Sequence, residues 1–241
     1  AYRLVPGQMR LPILQGPAHG YRWIAGAHVP ACWLGCYEFE KQQRMAQHLR
    51  KGDTVFDIGA HRGYFTLVVS ALVGQEGRVI AFEPLPLNLQ YLQKHLSMNS
   101  ITNATVIDRA VSDTEGTAHF EDVLAYKNRV GGRLAENGSI EVQTVKLDDL
   151  LAEGKVPVPD HIKIDVEGAE SRVLKGAQNL LKEHPPTLFI DTHGRAQHKE
   201  CCSFLQQLGY QVECTGEEIY TLSDGTERYY GDLLAMHARV S

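Results

Sequence analysis

The sequence predicts an α/β fold, doubly wound around a mostly parallel sheet, and three stretches carry that expectation. Thr54-Val55-Phe56-Asp57-Ile58 is a short apolar run that enters a glycine turn, Gly59 to Gly63, and resumes apolar character in Phe65-Thr66-Leu67-Val68-Val69. A second run, Arg78 to Phe82, ends in Glu83, about twenty residues beyond the turn, which is the spacing of a βαβ unit. Later, His161 to Asp165 leads into a helix from Ala169 to about Lys182, and Thr187 to Asp191 supplies another strand. With one such turn in 241 residues and no low-complexity linker, the natural division is an N-terminal extension and lid helix over residues 1–50 and a main domain over 51–241.

In chain order, residues 2–28 are rich in glycine and proline, and the pieces Leu11 to Leu14 and Tyr21 to Ile24 read as short strands packed over the main domain. Gly35-Cys36-Tyr37-Glu38 leads into a helix running to about Leu49 and stopped by Lys51-Gly52, placed to lid a ligand. Glu38 suits either a ligand contact or the positive end of that helix.

The glycine turn alone fits several nucleotides, and Asp57 decides among them. A carboxylate two residues before the first glycine repels a pyrophosphate but suits S-adenosylmethionine (SAM), which has no phosphate and carries an ammonium and a sulfonium. Glu83 stands where an acidic side chain accepts the ribose hydroxyls of an adenosine. The candidate cofactor set is Asp57, Gly59, His61, Gly63, Tyr64, Glu83, Asp108 and Glu38. Asp108 enters because Ala104 to Ile107 reads as the third strand, whose end lies beside an adenine pocket in a doubly wound sheet; an ordinary turn aspartate is its competing reading.

Between about 114 and 147 the pattern changes to short alternating segments, Thr117 to Glu121 and Ser139 to Val145, a β insertion at the sheet edge. The polar loop from Tyr126 to Gly138, with Lys127, Asn128, Arg129, Gly131, Gly132 and Arg133, is placed at the substrate. Lys163 lies within a run that should be buried, so it needs a carboxylate partner, Asp165 or Asp191. If the strands ending in Asp165 and Asp191 are neighbours, His193 lies just above both. The candidate catalytic set is His193, Asp165 and Lys163. Beyond it come a helix from Gln197 to Leu208 and strands at Gln211 to Cys214, Ile219 to Leu222 and Asp232 to Arg239, the last two a hairpin about Ser223-Asp224-Gly225.

Composition narrows the partners. Hydrophobic residues at 43% and charged residues at 22% are ordinary globular values, and a net charge of -5 offers no basic footprint for nucleic acid. No apolar run approaches bilayer length and no signal-peptide layout is seen, so a cytoplasmic protein that touches no membrane is expected, its oligomeric state open. The five cysteines, Cys32, Cys36, Cys201, Cys202 and Cys214, lack paired zinc-ribbon spacing and read as free thiols of a reducing compartment.

With Gly35-Cys36-Tyr37-Glu38, DIGAHRGYF, AFEP, RAVSD, VKLDDLL, IKIDVEGAE and Asp191-Thr192-His193 in consistent order from about Gly35 to Gly209, the chain resembles the FkbM-type SAM-dependent methyltransferases. The resemblance implies the class I methyltransferase sheet, seven strands with the last antiparallel. It also implies O-methylation of a hydroxyl on a secondary metabolite or sugar. The family usually carries asparagine where His61 stands and glutamate where Asp191 stands. The expected reaction therefore moves the methyl group of SAM to a small-molecule hydroxyl acceptor, with His193 as general base oriented by Asp165. An NAD-type oxidoreductase and a non-catalytic SAM-binding regulator are the alternatives. No metal is expected, Lys163 already balancing one carboxylate; Asp165, Asp191 and His193 are the ligands if one binds.

Overall fold

The computed structural model describes residues 5–122, 132–134, 138–221, 225 and 227–238. The chain divides into two compact units, Ala1–Asp108 and Arg109–Ser241.

The first unit opens with an antiparallel pair, β1 (Arg10–Pro12) and β2 (Arg22–Ile24), in the register Leu11↔Trp23. Helix α1 (Pro30–Leu34) begins on a proline and ends at Gly35, which takes φ 80 and lies so close to the chain that a Cβ there would stand 2.2 Å from the Gln15 carbonyl oxygen. Helix α2 (Phe39–His48) buries Met45 and Gln42. Strands β3 (Thr54–Ile58), β4 (Arg78–Phe82) and β5 (Ala104–Ile107) run parallel, with α3 (Tyr64–Val73) and α4 (Pro86–Met98) as crossovers. The apolar run in β3 is buried because parallel strands are covered on both faces: Val55, Phe56 and Ile58 are all within 1% of full burial. The N-terminal pair is integral to this unit. Trp23 is fully buried and stacks on His95 of α4 with ring centroids 3.8 Å apart. The Ile24 N–H donates to His95 Nε2 at 3.2 Å, and His95 Nδ1 bonds the Arg62 carbonyl at 2.6 Å, an arrangement that requires the neutral Nδ1–H tautomer.

The second unit holds β6 (Ala110–Val111), β7 (Gly116–Asp122), β8 (Gly132–Leu134) and β9 (Ile140–Val145), then α5 (Leu147–Ala152), β10 (His161–Ile164), α6 (Glu170–Lys175) and α7 (Gln178–Glu183). It ends with β11 (Thr187–His193), α8 (Arg195–Gln207), β12 (Tyr210–Thr221) and β13 (Glu227–His237). The insertion forms a sheet of its own, ordered β6-β9-β7-β8, rather than an added edge on the large one. The helix expected from Ala169 to Lys182 is two helices. Its break falls at Gly176, where a Cβ would lie 1.9 Å from the Ser112 carbonyl oxygen, so the backbone of another segment passes too close for any residue but glycine. The strands expected at Gln211 to Cys214 and Ile219 to Leu222 are one strand, β12, whose pairing with β13 shifts register between Cys214 and Gly216. The turn at Ser223 and Asp224 lies outside the described residues, as do Lys127, Asn128, Arg129 and Gly131 of the expected substrate loop.

The large sheet has seven strands in the order β12-β13-β11-β10-β3-β4-β5. It is mostly parallel, and the last strand of the chain, β13, enters antiparallel between β11 and β12.

Candidate functional site

In the first unit the site is built at the carboxyl ends of β3 and β4, which pair in the register Asp57↔Ala81. Asp57 is fully buried, and its Oδ2 accepts the Thr66 hydroxyl at 2.6 Å, so the first turn of α3 holds the carboxylate. The turn closes onto the neighbouring strand, with Gly59 and Ala60 N–H groups both donating to the Phe82 carbonyl at 3.0 Å. Glu83, 4% exposed, accepts the His61 N–H at 2.8 Å, the Leu85 N–H at 2.9 Å and the Asn88 side-chain amide at 3.1 Å. Three bonds from the protein fix the orientation of Glu83 at the strand end, where an acidic side chain in a βαβ unit can accept ribose hydroxyls. Two buried carboxylates at adjacent strand ends suit a cationic, diol-bearing ligand and oppose a phosphate; the residues fit SAM.

The remaining residues of the set divide. Gly63 takes φ 88, and a Cβ added to it would meet Leu92 Cδ1 at 2.5 Å, so its glycine serves the packing of α4 against the turn. His61 is itself in the left-handed region, φ 52, which aims its N–H at Glu83. Tyr64 is buried, with its hydroxyl accepting from Gln42 Nε2 at 3.1 Å. Glu38 opens α2 at φ 46 and pairs with Lys41. Asp108 is exposed just after β5. Sequence reasoning missed Arg62: its guanidinium is 5% exposed, lies 4.7 Å over the Tyr91 ring and donates to the Ala27 carbonyl and to Asn88 Oδ1. Its signal was a permanent cation inside the glycine turn, directly after His61.

In the second unit β10 and β11 are parallel neighbours, Ile164 opposite Ile190, and His193 ends β11. Lys163 is 2% exposed, and its Nζ lies 3.8 Å from Asp165 Oδ2, so Asp165 supplies the expected counter-charge. His193 Nε2 faces two carboxylates, Asp165 at 3.8 Å and Glu167 at 3.6 Å. The group that orients the ring is Glu170 rather than Asp165. Its Oε1 bonds His193 Nδ1 at 2.7 Å and also accepts the Gly168 N–H at 2.8 Å, and the side chain is fully buried in the first turn of α6. The signal was the second acid of Glu167-Gly168-Ala169-Glu170, which the turn geometry, φ 54 at Glu167 and 102 at Gly168, folds back under the strand end.

Burial by itself lowers the imidazole pKa, but the Glu170 hydrogen bond and the charges of Asp165, Glu167 and Glu170 outweigh it and raise His193 to about 9. The oxygen and nitrogen atoms that lie within 4.8 Å of one another belong to Asp165, Glu167 and His193, so Glu167 takes the place expected of Asp191 in any cation site here. Residues two apart on a strand stand ~6.6 Å apart along it, which leaves Asp191 one pleat below His193.

Residues 57–212 match the model of the methyltransferase FkbM domain. The chain is 26% identical to hexuronic acid methyltransferase AglP of Haloferax volcanii over 171 residues, 71% of this chain and 69% of that protein. It is 30% identical to 31-O-demethyl-FK506 methyltransferase FkbM of Streptomyces tacrolimicus over 167 residues, 56% of this chain and 64% of that protein. The crystal structure of methyltransferase FkbM from Methylobacillus flagellatus KT superposes with TM-score 0.53 at 21% identity, covering 77% of this chain and 45% of that one. The chain thus spans about two thirds of each relative named and under half of the solved protein. A family match that runs from the Asp57 turn through the His193 cluster leaves one conclusion: the chain belongs to the FkbM family of SAM-dependent methyltransferases.

Proposed function

We propose that the protein methylates a hydroxyl oxygen of a small molecule, a sugar or a secondary metabolite, with His193 as the general base. Support comes from the relatives' names, a hexuronic acid methyltransferase and an O-demethyl-FK506 methyltransferase. The observation that carries the reading is the His193 arrangement itself. A buried carboxylate, Glu170, holds Nδ1 at 2.7 Å and leaves Nε2 to exchange a proton, the logic by which a carboxylate orients a catalytic imidazole.

SAM, when bound, supplies an electrophilic methyl group. The acceptor hydroxyl that takes this methyl group would give up its proton to His193 Nε2. Asp165 and Glu167 stabilise the imidazolium that results, and Lys163 limits the repulsion between the carboxylates. Neutral imidazole is a small fraction at neutral pH when the pKa is about 9, so turnover rises as pH approaches that value. The NAD-type alternative ends with the family assignment.

The test is radiolabelled methyl transfer from SAM to a panel of sugar acids and polyhydroxylated macrolides, with the methylated atom located by NMR. An O-methyl product whose formation falls about 10²–10⁴-fold in His193→Ala, with SAM affinity kept, is the expected result. A product methylated on nitrogen or carbon, or full turnover by His193→Ala, overturns it.

A further inference from the structure

We propose a second site in the Arg109–Ser241 unit, built from other residues than the His193 cluster: a zinc-type divalent cation site formed by His198, Cys214 and Glu217, with solvent completing the coordination. A ring nitrogen of His198, the Cys214 sulfur and a Glu217 oxygen lie within 4.8 Å of one another, and Cys214 Sγ is already 3.6 Å from Glu217 Oε1. Tetrahedral zinc, with bonds of ~2.0–2.3 Å, holds its ligand atoms ~3.3–3.8 Å apart, so closure about an ion needs movement on the order of 1 Å.

Two independent features build the site. The first is the bulge in β12. Residues three apart on a regular strand point to opposite faces, yet Cys214 pairs with Leu233, Gly216 with Asp232 and Glu217 with Gly231. The extra residue, Thr215, reverses the alternation and returns Cys214 and Glu217 to one face, which is how a bulge re-aims a side chain.

The second is the support around His198. The Thr192 hydroxyl stands 2.8 Å from the Gly231 carbonyl, which only accepts, and 3.0 Å from His198 Nδ1. Its single hydrogen goes to the carbonyl, so Nδ1 carries the proton and Nε2 keeps the lone pair a metal requires. A Cβ on Gly231 would lie 2.5 Å from His198 Nδ1, so that glycine makes room for the ring. The Tyr229 hydroxyl donates to Glu217 Oε1 at 2.8 Å and orients the carboxylate, while the Tyr229 ring meets His198 edge-on, centroids 5.2 Å apart.

The site thus joins His198 on α8 to Cys-x-x-Glu on β12. Metal binding exchanges the Cys214 thiol proton for the cation and releases it to solvent. The consequence is a pin between α8 and the β12–β13 pair.

Protein stripped with chelator and desalted under reducing conditions is titrated with zinc and with cobalt(II). One equivalent bound, a thiolate-to-cobalt charge-transfer band and a higher melting temperature are expected. Cys214→Ser abolishes the band, Glu217→Gln weakens binding at least ten-fold, and Cys36→Ser behaves as wild type. The sulfur band separates this site from Asp165, Glu167 and His193, which have no thiol. Metal uptake unchanged in a folded Cys214→Ser protein, no uptake at all, or an adventitious ion bound equally by every variant overturns the proposal. So does a Cys202–Cys214 disulfide in air-purified protein that takes up no zinc once reduced.

Discussion

Glu83 and His193 each stand at the carboxyl end of a parallel strand, and each is held by hydrogen bonds that the protein itself supplies. Removing the Glu83 carboxylate takes away the proposed acceptor for ribose hydroxyls and the Glu83 bond to the His61 N–H. A charge-assisted hydrogen bond is worth about 1.5–3 kcal/mol, so Glu83→Ala is expected to weaken SAM binding roughly ten-fold or more in calorimetry. An unchanged dissociation constant in the folded variant would remove Glu83 from the site. For His193 the measurable quantity is the pH profile. Its raised pKa puts the acidic limb of kcat/KM near 9, and Glu170→Gln, which withdraws the bonded charge, is expected to move that limb towards lower pH. A limb that stays in place would assign the titration to another group. Stability follows the same linkage. The folded pKa lies above the unfolded value of about 6.5, so the stabilisation is complete below about pH 6.5 and is lost as pH rises through 9, on the order of 3 kcal/mol for the full shift.

Helices α6 and α7 show how local preference yields to packing. Residues 169 to 182 have helical character throughout, and replacing a helical glycine by alanine ordinarily gains about 1 kcal/mol. At Gly176 the added Cβ meets the Ser112 carbonyl oxygen at 1.9 Å, so Gly176→Ala is expected to cost about 1–3 kcal/mol in urea titrations. A gain in stability would mean the two segments part easily. The strand β12 shows the same limit. Val212, Cys214, Ile219 and Thr221 were readable as strand residues, but the phase change at Thr215 was not, because alternation is a property of one strand and a bulge is a property of its pairing. The β1–β2 pair was legible as short strands. Its anchor, Trp23 on His95, joins residues far apart in sequence and has no local signature.

Across the chain, partly and fully buried histidines act in opposite directions with pH. His28 and His95 are lowered to about 4, chiefly by burial, so the stabilisation they give is complete above about pH 6.5 and is lost as pH falls through 4. His193 acts in the other direction. Unfolding free energy is therefore expected to peak between about pH 6 and 7 and to fall on both sides in urea titrations; a plateau from pH 4 to 9 would contradict these assignments. Methyl transfer is expected to survive chelation, because the proton on His193 already balances the facing carboxylates; activity lost in EDTA and restored by magnesium would place an ion at Asp165, Glu167 and His193 instead. What the sequence determined by itself was the parallel α/β sheet, the glycine turn with Asp57 and Glu83 at the strand ends, and the need of Lys163 for a carboxylate partner, which the structure resolves to Asp165 rather than Asp191. Those rest on apolar runs, a glycine turn and charges a few residues apart, all local signals. Tertiary structure decided that Glu170 holds His193, that Glu167 replaces Asp191 beside it, that Gly63 serves Leu92, and that Cys214 meets His198. Each of these is a contact between segments joined only by folding, where side-chain direction depends on turn dihedrals and strand register that composition and spacing do not encode.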